Sequence, residues 1–218
     1  MIKAIIFDMD GLMIDSERVT YEGYAAECGK LGVTIDKEFY KQLLGRPVPA
    51  IHQIFRSSFG QEFPIQEIMG RVHQYLEDTF AREGILLKRG LTDLLKYLKE
   101  HDYKTIVATS STRSRVDRIL SQAGLTPYYD DSICGDEVQK GKPDPEIYLR
   151  ACEKLGVLPC EALVLEDSEM GIEAAYLAGI RVICIPDMKY PEKEYAAKTL
   201  KILDSLGLVA EFISQNSL

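Results

Sequence analysis

Two aspartates at i and i+2, Asp8 and Asp10, close the apolar run "AIIF", with Asp15 and Glu17 just beyond them. Carboxylates crowded at the end of a buried segment repel one another and are costly to desolvate, so a cation or a proton must sit among them. Other polar groups also fall after apolar runs: Thr109 and Ser110 follow "TIVA", Glu166 and Asp167 end "ALVLED", and Lys142 lies in the loop after "DSICGD". All-oxygen ligands with no His or Cys nearby favour magnesium over zinc. A magnesium ion beside a lysine and two hydroxyls suits a phosphate group. Thr109 and Ser110 precede a helix expected to start near Thr112, whose free N–H groups attract an anion. Asp144 and Pro145 read as N-cap and first residue of the helix that follows Lys142.

These groups converge only if their segments lie side by side. The runs at 105–110, 131–136, 162–167 and 181–187 are rich in Ile and Val and read as strands buried on both faces. Between them lie amphipathic helices: Val116, Ile119, Leu120 and Ala123 form one stripe, and Leu91, Leu94, Leu95 and Leu98 another. Gly124, Gly156 and Gly179 stand where left-handed C-caps are wanted. Strand and helix in alternation predict an α/β fold, a doubly wound parallel sheet with ligands outside the carboxyl ends of its strands. Residues 16–87 break the alternation and read as consecutive helices over 17–31, 36–44, 49–58 and 65–83. So long an excursion predicts a separate helical unit inserted into the core. The expected division is 1–15 with 88–218 for the core and 16–87 for a cap. The stretch from "MKYPEKEY" onward is expected to be helical packing and a frayed tail.

Composition narrows the partners. The 218 residues carry a net charge of −8, which argues against binding a phosphate backbone, so no nucleic-acid partner is expected. No apolar segment approaches the roughly 20 residues that span a bilayer, and nothing resembling a leader precedes the first strand at Ile2. A cytoplasmic monomer, away from membranes, is the expectation. The five cysteines show no C-x-x-C spacing and read as buried hydrophobes. His52, His73 and His101 are scattered and read as surface residues, and Tyr21, Tyr24 and Tyr40 as filling the core of the helical unit. "GDEVQKGK" is not a P-loop, because its glycines are five residues apart and Pro143 replaces the metal-holding hydroxyl.

The motifs reached here resemble the haloacid dehalogenase superfamily, in its phosphatase and β-phosphoglucomutase-like branch. "FDMDGLMIDSE", "ATSS", "KGKPDPEIY" and "EDSEMGIEAAYLAG" are similar to its four motifs, in order, and the insertion falls where that branch carries a helical cap. The resemblance implies a Rossmann-like core, Asp8 as nucleophile and Asp10 as general acid and base with its carbonyl on the metal. It implies Thr109, Ser110 and Lys142 as phosphate binders, and Asp167, with Glu166 near it, completing a Mg²⁺ site with Asp8 and Asp10. The implied reaction is hydrolysis of a small phosphorylated metabolite, such as a sugar phosphate, through an aspartyl phosphate.

Departures from the pattern bear on the substrate. Leu12 and Met13 stand where the family usually has Thr or Val at the first position, a change that leaves the carboxylates intact. Thr20 aligns with the His of the mutase pattern, and Arg46 directly follows Gly45 instead of lying three residues beyond it. These changes favour a phosphatase over a phosphosugar mutase and leave Arg46 as a candidate contact to the substrate's far end. A receiver-type phospho-acceptor switch uses similar groups, but on a shorter chain that takes phosphate on a central strand rather than the first.

Overall fold

The computed structural model describes Met1–Asn216. Its backbone divides into two compact units, Met1–Asp15 with Leu87–Leu218, and Ser16–Leu86. The core unit begins with β1 (Ala4–Phe7), the inserted unit holds α1 (Ser16–Gly29), α2 (Lys37–Lys41), α3 (Val48–Phe59) and α4 (Ile65–Glu83), and the core resumes at α5 (Leu91–Glu100). There follow β2 (Lys104–Ala108), α6 (Arg113–Gln122), β3 (Asp131–Ile133), α7 (Glu146–Leu155), β4 (Ala162–Glu166) and α8 (Glu169–Leu177). The chain ends with β5 (Arg181–Cys184), α9 (Lys193–Ala196), β6 (Lys201–Ile202) and α10 (Val209–Asn216).

Among the described residues the sheet has six strands in the order β3-β2-β1-β4-β5-β6, and every pairing is parallel. The winding runs outward from β1 through β2 to β3, then returns to the other side of β1 with β4. That reversal opens a crevice at the carboxyl ends of β1 and β4, the place where doubly wound sheets bind ligands. Ile6, Ile106, Ile133, Val164 and Val182 pack on one face against Ile147, Tyr148, Ala151, Ile172 and Ala175 of α7 and α8. The alternate residues Ile5, Phe7, Val107, Leu163 and Ile183 are equally buried and serve the opposite face. This is why the strands read as unbroken apolar runs instead of alternating ones.

Strand ends are earlier than the apolar runs suggest. β2 stops at Ala108, and β3 at Ile133, where Cys134 N–H turns to donate to Glu137 Oε2 and a 3-10 turn over Gly135–Glu137 begins. Helix α7 starts one residue later than expected: Pro145 is its N-cap, and Asp144 Oδ1 accepts from Glu146 N–H at 3.1 Å from just outside. The C-terminal stretch holds β6, too short to leave a pattern and paired with β5. Gly124, Gly156 and Gly179 have φ of 67°, 63° and 71°, the left-handed conformation of helix C-caps.

Within the inserted unit α1 and α4 are the principal packing pair. Tyr24, Tyr40, Phe39, Phe55, Phe59 and Phe63 form a continuous aromatic cluster there. Asp36 caps α2 by accepting from Phe39 N–H at 2.7 Å. His52 departs from the surface reading, being half-buried, and Cys160 is exposed where a buried thiol was expected.

Candidate active site

The turn after β1 sets the geometry. Met9 carbonyl oxygen accepts from Met13 N–H (2.9 Å) and Ile14 N–H (3.2 Å), and Gly11, at φ 82°, donates to Ile14 carbonyl at 3.1 Å. A positive φ at that point suits glycine. The turn fixes the Asp8 and Asp10 backbones and separates their side chains, so each carboxylate meets its own cation.

Asp8 meets Lys142. The ammonium Nζ donates to Asp8 Oδ1 at 2.5 Å, to Glu166 Oε1 at 2.6 Å and to Ala108 carbonyl at 3.3 Å, which brings β1, β2, β4 and the loop before α7 to one point. All three side chains are buried: Asp8 is 7% exposed and Glu166 0%, and the Lys142 side chain is 6% exposed. The lysine loop is held by Glu146, whose two carboxylate oxygens accept from Gln139 N–H and Lys140 N–H at 2.9 Å each. Burial pushes the Asp8 carboxyl up to about 7, with Glu166 and Asp10 adding to the rise and Lys142 opposing it. The Lys142 ammonium is driven the other way, well above its ordinary value: burial opposes its charge, and the Asp8 and Glu166 carboxylates prevail.

Glu166 is enclosed by donors. Oε1 takes Lys142 and the Tyr148 hydroxyl (2.8 Å), while Oε2 takes Asp167 N–H (2.9 Å), Ser168 N–H (2.8 Å) and Ser168 Oγ (2.9 Å). It is stationed as the anchor of Lys142, and beside Asp167 it stays a candidate ligand for a cation. Its close approach depends on Gly171, where a Cβ would lie 1.7 Å from Glu166 Oε1. Asp167, half-buried, follows directly at the mouth of β4.

Asp10 meets Arg115 and Ser111, neither of which was singled out in the sequence. Arg115 Nη1 donates to Asp10 Oδ1 and Oδ2 at 2.8 and 2.7 Å, and Ser111 Oγ donates to Oδ2 at 2.8 Å. The signal for them was thin: Ser111 and Arg115 are four apart at the start of α6 and so share a helix face. Thr109 is buried and its hydroxyl accepts from Ser111 N–H at 3.2 Å, whereas Ser110 is exposed at the crevice. Gly135 crosses so closely that a Cβ would lie 2.2 Å from Ser110 carbonyl oxygen. Arg46 is exposed in the loop between α2 and α3 of the inserted unit.

Asp8, Asp10, Glu166 and Asp167 stand at the two strand ends, with Lys142 and Arg115 against them. An oxygen-liganded divalent cation fits these four carboxylates, among which burial raises the Asp8 carboxyl. The mutually close metal-type donors found among the described residues lie elsewhere, at Cys134, Asp136 and Glu137. Burial pushes that thiol up to about 12, and Glu137 is committed to Arg113 at 2.5 Å, so this trio is a structural knot.

The family model for haloacid dehalogenase-like hydrolases matches residues 5–185, from β1 through β5. The chain belongs to that family. Among similar proteins, the phosphorylated carbohydrates phosphatase of Thermotoga maritima is 33% identical over 83% of this chain and 83% of its own. Validoxylamine A 7'-phosphate phosphatase of Streptomyces hygroscopicus subsp. limoneus is 34% identical over 83% of this hydrolase and 84% of its own length. The crystal structure of CbbY from Rhodobacter sphaeroides in complex with phosphate superposes with a TM-score of 0.73 at 29% identity, covering 95% of this chain and 96% of that one. The six-stranded parallel sheet flanked by helices is thus the α/β fold of the haloacid dehalogenase-like hydrolases.

Proposed function

We propose that this hydrolase is a Mg²⁺-dependent phosphatase of a small phosphorylated metabolite, a sugar phosphate in the simplest case, working through an aspartyl phosphate on Asp8. The observation that carries the reading is the buried Lys142 bridging Asp8 and Glu166 beside Thr109 and Ser110. The relatives named for acting on phosphorylated carbohydrates and on validoxylamine A 7'-phosphate support the substrate class.

Asp8, the Asp10 carbonyl and Asp167 would hold the ion, which when bound neutralises phosphate charge as a Lewis acid. An Asp8 oxygen attacks phosphorus, a bond to Asp8 forms as the bond to the leaving alkoxide breaks, and Asp10 gives the alkoxide its proton. Lys142 and Ser110 draw charge from the phosphoryl oxygens, whereas the first N–H of α6, on Arg113, is already taken by the Asp136 carboxylate. Water then attacks phosphorus and passes a proton to Asp10; the Asp8 bond breaks and inorganic phosphate leaves. Arg46 is the proposed contact for the part of the substrate beyond the phosphate.

A panel of phosphorylated metabolites, assayed for phosphate with Mg²⁺ and with EDTA beside Asp8→Asn, tests the proposal. Release is expected only from wild type with metal; equal turnover by Asp8→Asn would overturn the nucleophile. Thr20 in α1, where the mutase pattern has His, weighs against phosphosugar mutation. Hexose phosphate interconversion without phosphate release, in the presence of a bisphosphate activator, would reverse that judgement.

A further inference from the structure

Asp10 is held at both ends. Its backbone is pinned by the turn after β1 and by a bridge to Ile14, and its carboxylate is gripped by a closed ring of donors. Arg115 Nη1 donates to both Asp10 oxygens and also to Ser111 Oγ at 2.7 Å, while Ser111 Oγ donates to Asp10. Such a ring costs a long side chain its rotamer freedom, and the Arg115 side chain is only 12% exposed. Every hydrogen bond shown at the carboxylate comes from a donor, so the group is presented as an acceptor. Fixing a base within a few tenths of an ångström is worth large factors in rate.

We propose that Arg115, braced by Ser111, is a positioning residue that sets Asp10 for hydrolysis of the aspartyl phosphate. In that step the water oxygen bonds to phosphorus, its proton goes to Asp10, and the phosphorus–Asp8 bond breaks to free the carboxylate and phosphate. The inference rests on the reading of Asp10 as acid and base. Formation of the phosphoenzyme from an activated aryl ester needs little proton donation, because the phenolate is a good leaving group. Loss of Arg115 therefore affects the second half-reaction more than the first.

The test is rapid mixing of the Mg²⁺-loaded enzyme with p-nitrophenyl phosphate, for wild type, Arg115→Met, Arg115→Lys, Ser111→Ala and Asp10→Asn. Arg115→Met is expected to keep its nitrophenol burst rate within about twofold while steady-state turnover falls about tenfold or more and acid-stable phosphoenzyme accumulates. Arg115 reaches Asp10 and Ser111 through Nη1, a reach an ammonium can reproduce, so Arg115→Lys should return to within about threefold of wild type. Burst and turnover falling together, KM rising with turnover unchanged, or no change at all would each overturn the proposal. If thermal melting shows that Arg115→Met does not fold, Arg115→Lys and Ser111→Ala decide: Ser111→Ala should slow turnover about threefold with its burst intact, and an unaltered ratio overturns the inference. Normal turnover by Asp10→Asn would instead sink the acid/base reading itself; a dead Asp10→Asn beside a normal Arg115→Met sinks only the role of Arg115.

Discussion

Tyr148 serves Glu166 twice: its hydroxyl donates to Oε1 at 2.8 Å, and its ring faces Lys142 Nζ, the other donor to that oxygen, at 4.9 Å from the centroid. Tyr148, fully buried in α7, thus holds an anion by its edge and a cation by its face. Tyr148→Phe keeps the ring and loses one hydrogen bond to a charged group, which should cost about 1.5 to 3 kcal/mol in denaturant unfolding. Tyr148→Leu removes the cation–π contact as well and should cost more.

Lys142→Met would leave Asp8 and Glu166 facing each other with no cation between them. Removing one partner of a buried ionic cluster typically costs about 3 to 5 kcal/mol. Because Lys142 opposes the rise of the Asp8 carboxyl, its removal lets Asp8 take a proton more readily, so stability by denaturant titration should fall by that order in alkaline solution and by less as pH falls through neutrality. If Lys142 draws charge from the phosphoryl group as proposed, turnover should drop by about a hundredfold or more.

Gly171→Ala and Gly70→Ala should move in opposite directions. At Gly171 the new methyl meets Glu166 Oε1 at 1.7 Å and Cδ at 1.9 Å, and that carboxylate is held on both oxygens and cannot step aside. Gly171→Ala is expected to lower thermal stability and to abolish phosphate release, since Lys142 moves with its anchor. Gly70, in the middle of α4, has nothing within 4 Å of the same position. Gly70→Ala should stabilise the helix by about 0.5 to 1 kcal/mol and leave turnover alone.

The Asp8 carboxyl gives metal-free protein a pH signature. Its value of about 7 lies above its ordinary 3.8, so between the two the folded chain holds a proton that the unfolded chain has released. The associated stability is complete below the ordinary value and is lost as pH rises through about 7, a span worth up to about 4 kcal/mol. With EDTA present, urea unfolding at a series of pH values should show wild type weakening over that range and Asp8→Asn flatter, with the variant the more stable of the two at about pH 8. Parallel curves would remove Asp8 as the source.

Much of the site is legible in the sequence because strand ends are. A carboxylate at the close of an apolar run is marked by its cost, and Asp8, Glu166 and Lys142 do meet as parallel winding requires. Arg115 and Ser111 are not marked, since an arginine on an amphipathic helix reads as solvated surface until the helix is placed over the end of β1. Tyr148 was hidden for the converse reason: a tyrosine on the apolar stripe of α7 reads as core, and it is core, with one polar atom turned to Glu166. Glu166 itself shows a limit of composition. Its type suits a metal ligand, and only its hydrogen bonds reveal the anchor. β6 was missed because two residues carry no periodicity.

Ile14 pairs antiparallel with Leu87, and Lys88 N–H donates to Met13 carbonyl at 2.9 Å, so the chain is stitched where the helical insert leaves and returns. That stitch makes the insert an exchangeable part. Loop closure costs little more as a loop lengthens once its ends are joined, so inserts of other lengths could be grafted between Asp15 and Leu87 while the sheet keeps its register. The insert can thus be exchanged as one contiguous piece of chain while the strand ends that gather Asp8, Lys142 and Glu166 stay as they are.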